Sequence, residues 1–203
     1  MLSLTVGQQP RAAMKNVMVY LVGPPGVGKY TVGKLVAERI QAKLLDNHFW
    51  SNPIFEVVEP DGRPFPAGVW DRANDVRSAV LETVALFGPV DRNYVFTHAV
   101  SDPGGHPIDW VIAGQLLWVA ERRQARLLVV RLACGEKQLR ERISSETRRQ
   151  RLKMTDAAKA QSLASLGPFP INHDWILDLE TSGLSAADTA DRIERELRSR
   201  LHS

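Results

Sequence analysis

The segment NVMVYLVGPPGVGKYTV, residues 16–32, constrains the fold more than any other part of the chain. Its first seven residues are almost wholly apolar and rich in β-branched side chains, which suits a strand buried on both faces of a parallel sheet. After the glycine-rich turn, Val32, Leu35, Val36 and Ile40 recur at helical spacing, with Lys34, Glu38 and Arg39 on the other side. A strand, a glycine turn and a helix in this order point to an α/β architecture.

The spacing Gly23-x-x-x-x-Gly28-Lys29 in that setting gives the glycine pattern a mechanism. Across Gly23, Pro24, Pro25, Gly26, Val27, Gly28 and Lys29, the glycines let backbone N–H groups converge on phosphate oxygens. The helix that follows adds the positive end of its dipole, and the Lys29 ammonium reaches the β and γ phosphates. An ordinary glycine turn is the competing reading, and it leaves the flanking strand and helix unexplained. Tyr30 departs from the pattern. A serine or threonine there gives a small hydroxyl to magnesium, whereas a tyrosine oxygen lies about three bonds farther out on a rigid ring. Thr31 comes one residue later, about 100 degrees around the helix, and is better placed for the α phosphate. The expectation is a nucleotide site whose metal coordination is weakened or rearranged. Magnesium often rests on phosphate oxygens and on waters held by one or two carboxylates. Asp46, expected at the end of a second strand, is the candidate to hold such a water.

The rest of the chain repeats the strand and helix alternation. Residues 42–50 read as that second strand, delivering Asp46, Asn47 and His48 at its end. Residues 52–68 hold four prolines and two glycines, with a turn at Pro60-Asp61-Gly62, and read as an irregular binding segment or lid. Ala73, Val76, Val80, Val84 and Phe87 mark an amphipathic helix with Arg72, Asp75 and Arg77 outside the stripe. A strand at 93–100 ends near Thr97 and His98. Further elements are a helix over 108–119, a strand at 126–132, helices from Glu136 and from Thr155, a strand at 175–180, and a last helix from Ser185. These elements predict one mainly parallel five-stranded sheet with helices on both faces, and ligands at the carboxyl ends of its strands.

Composition narrows the function classes. A chain of 203 residues with 44 % hydrophobic content suits a single domain over 16–203 preceded by a loose arm at 1–15. No apolar run approaches the roughly 20 residues of a spanning helix. With one cysteine and no leader pattern, a cytoplasmic location is the default. The net charge of +3 suits a phosphate-bearing partner. The basic run RERISSETRRQRLK has no interleaved aromatics, so a nucleic-acid platform is not expected; it reads either as a solvated helix face or as a phosphate-binding lid. His98 and His106 lie in no zinc-ligand spacing. His48 reads equally as a general base or substrate contact and as a structural histidine. Arg72 and Arg77 read as contacts to an anionic acceptor or as surface ion pairs. The aromatic residues Trp50, Phe55, Phe65 and Trp70 read as core, or as a wall for a ring-bearing acceptor.

With these residues in view, the chain resembles the small P-loop kinases of the shikimate kinase and gluconate kinase kind, akin to nucleoside monophosphate kinases. GPPGVGKYT matches their loop except at Tyr30. LLDNH stands where they carry two acidic residues one position apart, so Asp46 matches the first and His48 replaces the second. LRERI followed by SSETRRQR resembles their mobile lid, here about 140–168, and ILDLETSGLSAADTADRI resembles their last strand, adenine-side loop and last helix. The strand at 93–100 lacks the closing acidic residue that binds magnesium in many P-loop proteins. The resemblance implies a P-loop three-layer sandwich with a helical lid, ATP and Mg2+ as cofactors, and phosphoryl transfer to a small hydroxylated or phosphorylated metabolite. It places Arg142, Arg148, Arg149, Ser182 and Leu184 on the nucleotide, and Lys29, Asp46, His48 and Arg148 in catalysis. A non-catalytic nucleotide-binding protein or slow hydrolase is the alternative, motivated by Tyr30. Acceptor identity and oligomeric state are left open.

Overall fold

A computed structural model describes residues 13–58, 65–100, 107–143, 162 and 167–202. In chain order the described elements are β1 Val17–Gly23, α1 Lys29–Arg39, β2 Ala42–Leu45, α2 His48–Val58, α3 Val69–Phe87, β3 Asn93–Ala99, α4 Pro107–Arg123, β4 Arg126–Ala133, α5 Glu136–Ile143, β5 Ile176–Glu180 and α6 Ala186–Leu201. All paired strands are parallel, in the order β2-β3-β1-β4-β5. Parallel neighbours need crossover connections, and the helices supply them on both faces.

β1 is buried along its length and lies between β3 and β4. Side chains alternate across it, so Val17, Val19 and Leu21 pack with Val32, Val36, Ile193 and Leu197 of α1 and α6. Met18, Tyr20 and Val22 pack on the opposite face with Leu81, Val84, Leu116 and Val119 of α3 and α4. α6 opens with a capping box. The Ser185 hydroxyl accepts the Asp188 N–H at 3.0 Å and the Asp188 carboxylate accepts the Ser185 N–H at 3.3 Å. Ser185→Ala is expected to lower stability by about 1 kcal/mol, read as a lower denaturant midpoint at unchanged slope.

The structure departs from the sequence expectation in three places. β2 ends at Leu45, and His48 opens α2 instead of closing a strand. The segment expected to be irregular from residue 52 is helical as far as Val58, with Pro53 inside it. Pro53 removes only the bond that its missing N–H would make to the Phe49 carbonyl. Burial of Trp50 and Phe55, and a 3.0 Å bond from the Ser51 hydroxyl to the Asn47 carbonyl, hold the turns around that gap. On α3 the buried face is Ala73, Arg77, Leu81 and Val84, which keeps Ala73 and Val84 of the apolar stripe but is turned from it by roughly 50 degrees, toward Arg77 and Leu81. Phe87 is 79 % exposed and Arg77 only 3 %. Residues 1–12 of the arm, the turn at Pro60-Asp61-Gly62, the helix start at Thr155 and most of the lid segment lie outside the described residues.

Candidate nucleotide and acceptor site

β1 carries the glycine loop to the carboxyl end of the sheet, where β4 and α5 press against it. A Cβ on Gly23 would stand 2.3 Å from the Leu132 carbonyl oxygen, and one on Gly26 would meet Ile143 Cγ1 at 2.7 Å and Leu139 Cδ1 at 2.8 Å. Gly26 and Gly28 also have φ of +93° and +104°, a conformation that glycine adopts without strain. Gly28 caps α1 with no side-chain bond, and the first turn of α1 contains no acidic residue. The positive end of the helix is therefore not neutralised locally. Pro24 and Pro25 carry no N–H, and the Val27 N–H donates to the Pro24 carbonyl at 3.4 Å, which leaves Gly26, Gly28 and Lys29 to supply the loop's amide donors. Lys29 is buried, and its ammonium donates to the Gly23 and Pro24 carbonyls, each at 2.7 Å. Tyr30 is half-buried and Thr31 exposed.

Asp46 follows β2 directly and is largely buried. Its Oδ1 accepts the Thr97 hydroxyl at 2.6 Å, and Thr97 Oγ1 accepts the Asn47 N–H at 3.0 Å. Thr97 thus ties the ends of β2 and β3 together. His48, half-buried at the start of α2, has Nδ1 2.9 Å from Asn52 Oδ1. An amide oxygen there is an acceptor for the Nδ1 proton.

The neighbouring residue on β3 faces the other side of the sheet. His98 Nδ1 is 2.5 Å from the Tyr20 hydroxyl, and Nε2 is 2.9 Å from Asp109 Oδ1 on α4. All three side chains are buried. Burial pushes the His98 pKa down, the Asp109 contact acts against that, and the Lys29 and Arg77 cations add to the lowering. Burial, with the Asp109 charge, holds the Tyr20 hydroxyl well above its usual range. Asp109 escaped the sequence reading; its signal is an acidic residue on the buried stripe of Ala113, Leu116 and Ala120.

Arg77 Nε donates to Gln115 Oε1 at 3.0 Å and Nη1 to Asn74 Oδ1 at 2.6 Å. Both partners are neutral, and no carboxylate among the described residues forms an ion pair with it. Arg72, by contrast, is exposed and paired with Asp75 at 3.0 Å. Arg142 Nη1 donates to the Val27 carbonyl at 3.1 Å, and its Nη2 lies 3.4 Å from the Thr181 carbonyl, so one guanidinium bridges the glycine loop and the β5–α6 connection. In that connection the Ser182 hydroxyl accepts the Gly135 N–H at 2.6 Å and donates to Glu180, and Leu184 is half-buried. The structure therefore gathers Lys29, Asp46, Thr97, Arg142 and Ser182 at the carboxyl ends of the strands. Arg148 and Arg149 lie outside the described residues.

No family model matches the chain. Over 67 residues it is 39 % identical to a shikimate kinase of Saccharopolyspora erythraea, a match that covers 30 % of this chain and 37 % of that enzyme's length. Among solved structures, a protein of Chloroflexus aurantiacus superposes with a TM-score of 0.65 at 14 % identity, over 92 % of this chain and 99 % of that one. A gluconokinase of Sinorhizobium meliloti superposes with a TM-score of 0.57 at 16 % identity, over 92 % and 98 % of the two chains. No described helix is long and apolar enough to cross a membrane. The parallel sheet, the glycine loop ahead of α1 and the superpositions agree: the chain has the α/β fold of the small P-loop kinases.

Proposed function

We propose that the protein binds ATP at the glycine loop and transfers its γ-phosphate to a small hydroxylated or phosphorylated metabolite. The observation that carries this reading is the placement of a buried lysine after β1 and a buried carboxylate after β2, the two strands that flank β3. Lys29 rests on the loop carbonyls, and Asp46 is anchored to β3 beside the strand that delivers the loop. Phosphoryl transfer depends chiefly on positioning and charge neutralisation, which these groups are suited to provide.

In this reading the loop amides and Lys29 hold the β and γ phosphates, with Tyr30 and Thr31 flanking them. Arg142, Ser182 and Leu184 line the base side, while Arg148 and Arg149 neutralise the charge in transfer. Asp46 holds a magnesium water or orients the acceptor, and His48 Nε2 takes the acceptor proton or contacts the acceptor. Arg77 binds an anionic group on the acceptor, since among the described residues its buried cation rests on neutral amides; Arg72 makes a weaker contact at the rim. The relatives' names, a shikimate kinase and a gluconokinase, support a hydroxylated acid. The donor set also fits magnesium: one carboxylate with hydroxyl and amide oxygens suits an ion that keeps most of its waters. The chemistry magnesium supplies when bound is neutralisation of phosphate charge. Tyr30 favours a second reading, a nucleotide-binding protein or slow hydrolase without an acceptor.

Calorimetric titration with ATP separates the possibilities. Wild type is expected to bind ATP, more tightly with magnesium than with chelator. Lys29→Ala is expected to weaken binding about ten- to hundredfold, the equivalent of a lost charge-assisted bond. Phosphorylation of one compound in a hydroxy-acid panel, lost in Asp46→Asn, would establish the kinase. ATP binding without any acceptor, together with faster hydrolysis in Tyr30→Ser, would favour the second reading. Absence of ATP binding would overturn both.

A further inference from the structure

β3 ends without an acidic residue, yet a carboxylate stands at its end. We propose that Thr97 is the positioning residue that brings it there, drawing the Asp46 side chain across from β2 so that it holds a water of the nucleotide's magnesium. The inference rests on the nucleotide reading above and adds a residue that reading does not use.

Three observations support it. Thr97 is 1 % exposed, so its hydroxyl must find its partners within the protein. A hydroxyl has one proton to give, and the acceptors within reach are Asp46 Oδ1 at 2.6 Å and Asn47 Oδ1 at 3.3 Å. The shorter contact, to a charged oxygen, takes the proton. The Thr97 oxygen meanwhile accepts the Asn47 N–H, which fixes the backbone that carries Asp46. Finally, Gly33 on α1 stands close: a Cβ there would come within 3.5 Å of the Thr97 methyl. Glycine at 33 thus lets the helix that follows the phosphate loop lie beside the Thr97 methyl without crowding it. A single side chain thus couples the end of β2 to the end of β3, beside α1. Residues in such a supporting position usually alter metal affinity about ten- to hundredfold when removed.

The test is the gain in ATP affinity that magnesium gives over chelator, measured by calorimetry. Thr97→Val keeps the shape and loses the hydroxyl, and Thr97→Ser keeps the hydroxyl. Thr97→Val is expected to lose at least about tenfold of the magnesium gain, matching Asp46→Asn, and the double variant is expected to lose no more than either. Thr97→Ser is expected to keep most of the gain, and binding in chelator should be unchanged in the Thr97 variants. Thermal melts identify any variant that does not fold; if Thr97→Val is one, Thr97→Ala is the second hydroxyl-free variant and carries the same expectation. A magnesium gain kept by the folded hydroxyl-free variant, but lost in Asp46→Asn, overturns the inference and leaves the ATP site intact. A wild type with no magnesium gain also overturns it. If wild type binds no ATP in either condition, the nucleotide reading falls and the inference with it.

Discussion

Asp109→Ala is expected to lower folding stability by about 3 kcal/mol, a fall in melting temperature of about 6–12 °C for a chain of 203 residues. Asp109 is fully buried and His98 nearly so. The Tyr20 hydroxyl donates to His98 Nδ1, which assigns the ring proton to Nε2, and Nε2–H donates to Asp109. Truncating Asp109 leaves that N–H buried with its acceptor gone and opens a cavity beside it. Asp109→Asn keeps an acceptor oxygen and is expected to cost less. Acid sensitivity follows from the same network. The folded chain holds the His98 pKa below its ordinary 6.5, so the unfolded chain takes up a proton first as pH falls. The stability from neutral His98 is complete above about 6.5 and declines below it, by at most about 1.4 kcal/mol per pH unit. Removing Asp109 lowers the imidazole pKa further and widens the window of loss. Urea midpoints on both sides of that pH check this; equal midpoints for wild type and Asp109→Ala would show that the buried network contributes nothing.

The second large effect is at the loop. Gly23→Ala is expected to cost about 3 kcal/mol and to abolish ATP binding, because its Cβ would sit 2.3 Å from a backbone oxygen of β4 that cannot swing away. Gly28→Ala is the control. Among the described residues its Cβ would meet only Arg142 Nη1, at 3.9 Å, so the cost is that of the φ of +104°, about 1–2 kcal/mol. Thermal melts of the two variants measure the difference. Equal losses would mean that the end of β4 yields and that the loop is not wedged against the sheet.

Much of this architecture was legible in the sequence, for physical reasons that differ by element. β1 and β4 are buried on both faces, so their apolar runs stand out, and the loop between β1 and α1 is marked by glycines that no other residue replaces. α2 was hidden because Pro53 and its neighbouring prolines signal a break, whereas the helix survives one missing bond through the burial of Trp50 and Phe55. Arg77 was placed on the solvent side because hydropathy ranks a guanidinium as exposed. It lies on the buried face because Asn74, one turn earlier, and Gln115, on α4, meet it there, a match between helices that no local pattern contains. The role of Thr97 was invisible for a similar reason: a threonine in a strand is ordinary until a second strand brings a carboxylate to it. Arg142 was tied to the nucleotide by resemblance alone, and it is the tertiary fold that carries it to the Val27 carbonyl.

Thr97 and His98, consecutive on β3, have a further effect on how the sheet assembles. β3 pairs with β1 so that Thr97 lies opposite Leu21 and His98 opposite Val22. Both strands are apolar on both faces over much of their length, so sliding one along the other by two residues would keep most greasy contacts and preserve sidedness. Such a slip displaces the chain by about 6.6 Å. With β1, β2 and α4 holding their places, it would part the Thr97 hydroxyl from Asp46 on one face, and His98 from Tyr20 and Asp109 on the other. The polar residues act as registration marks on both sides of one strand, and they, more than the valines around them, select a single pairing among near-equivalents.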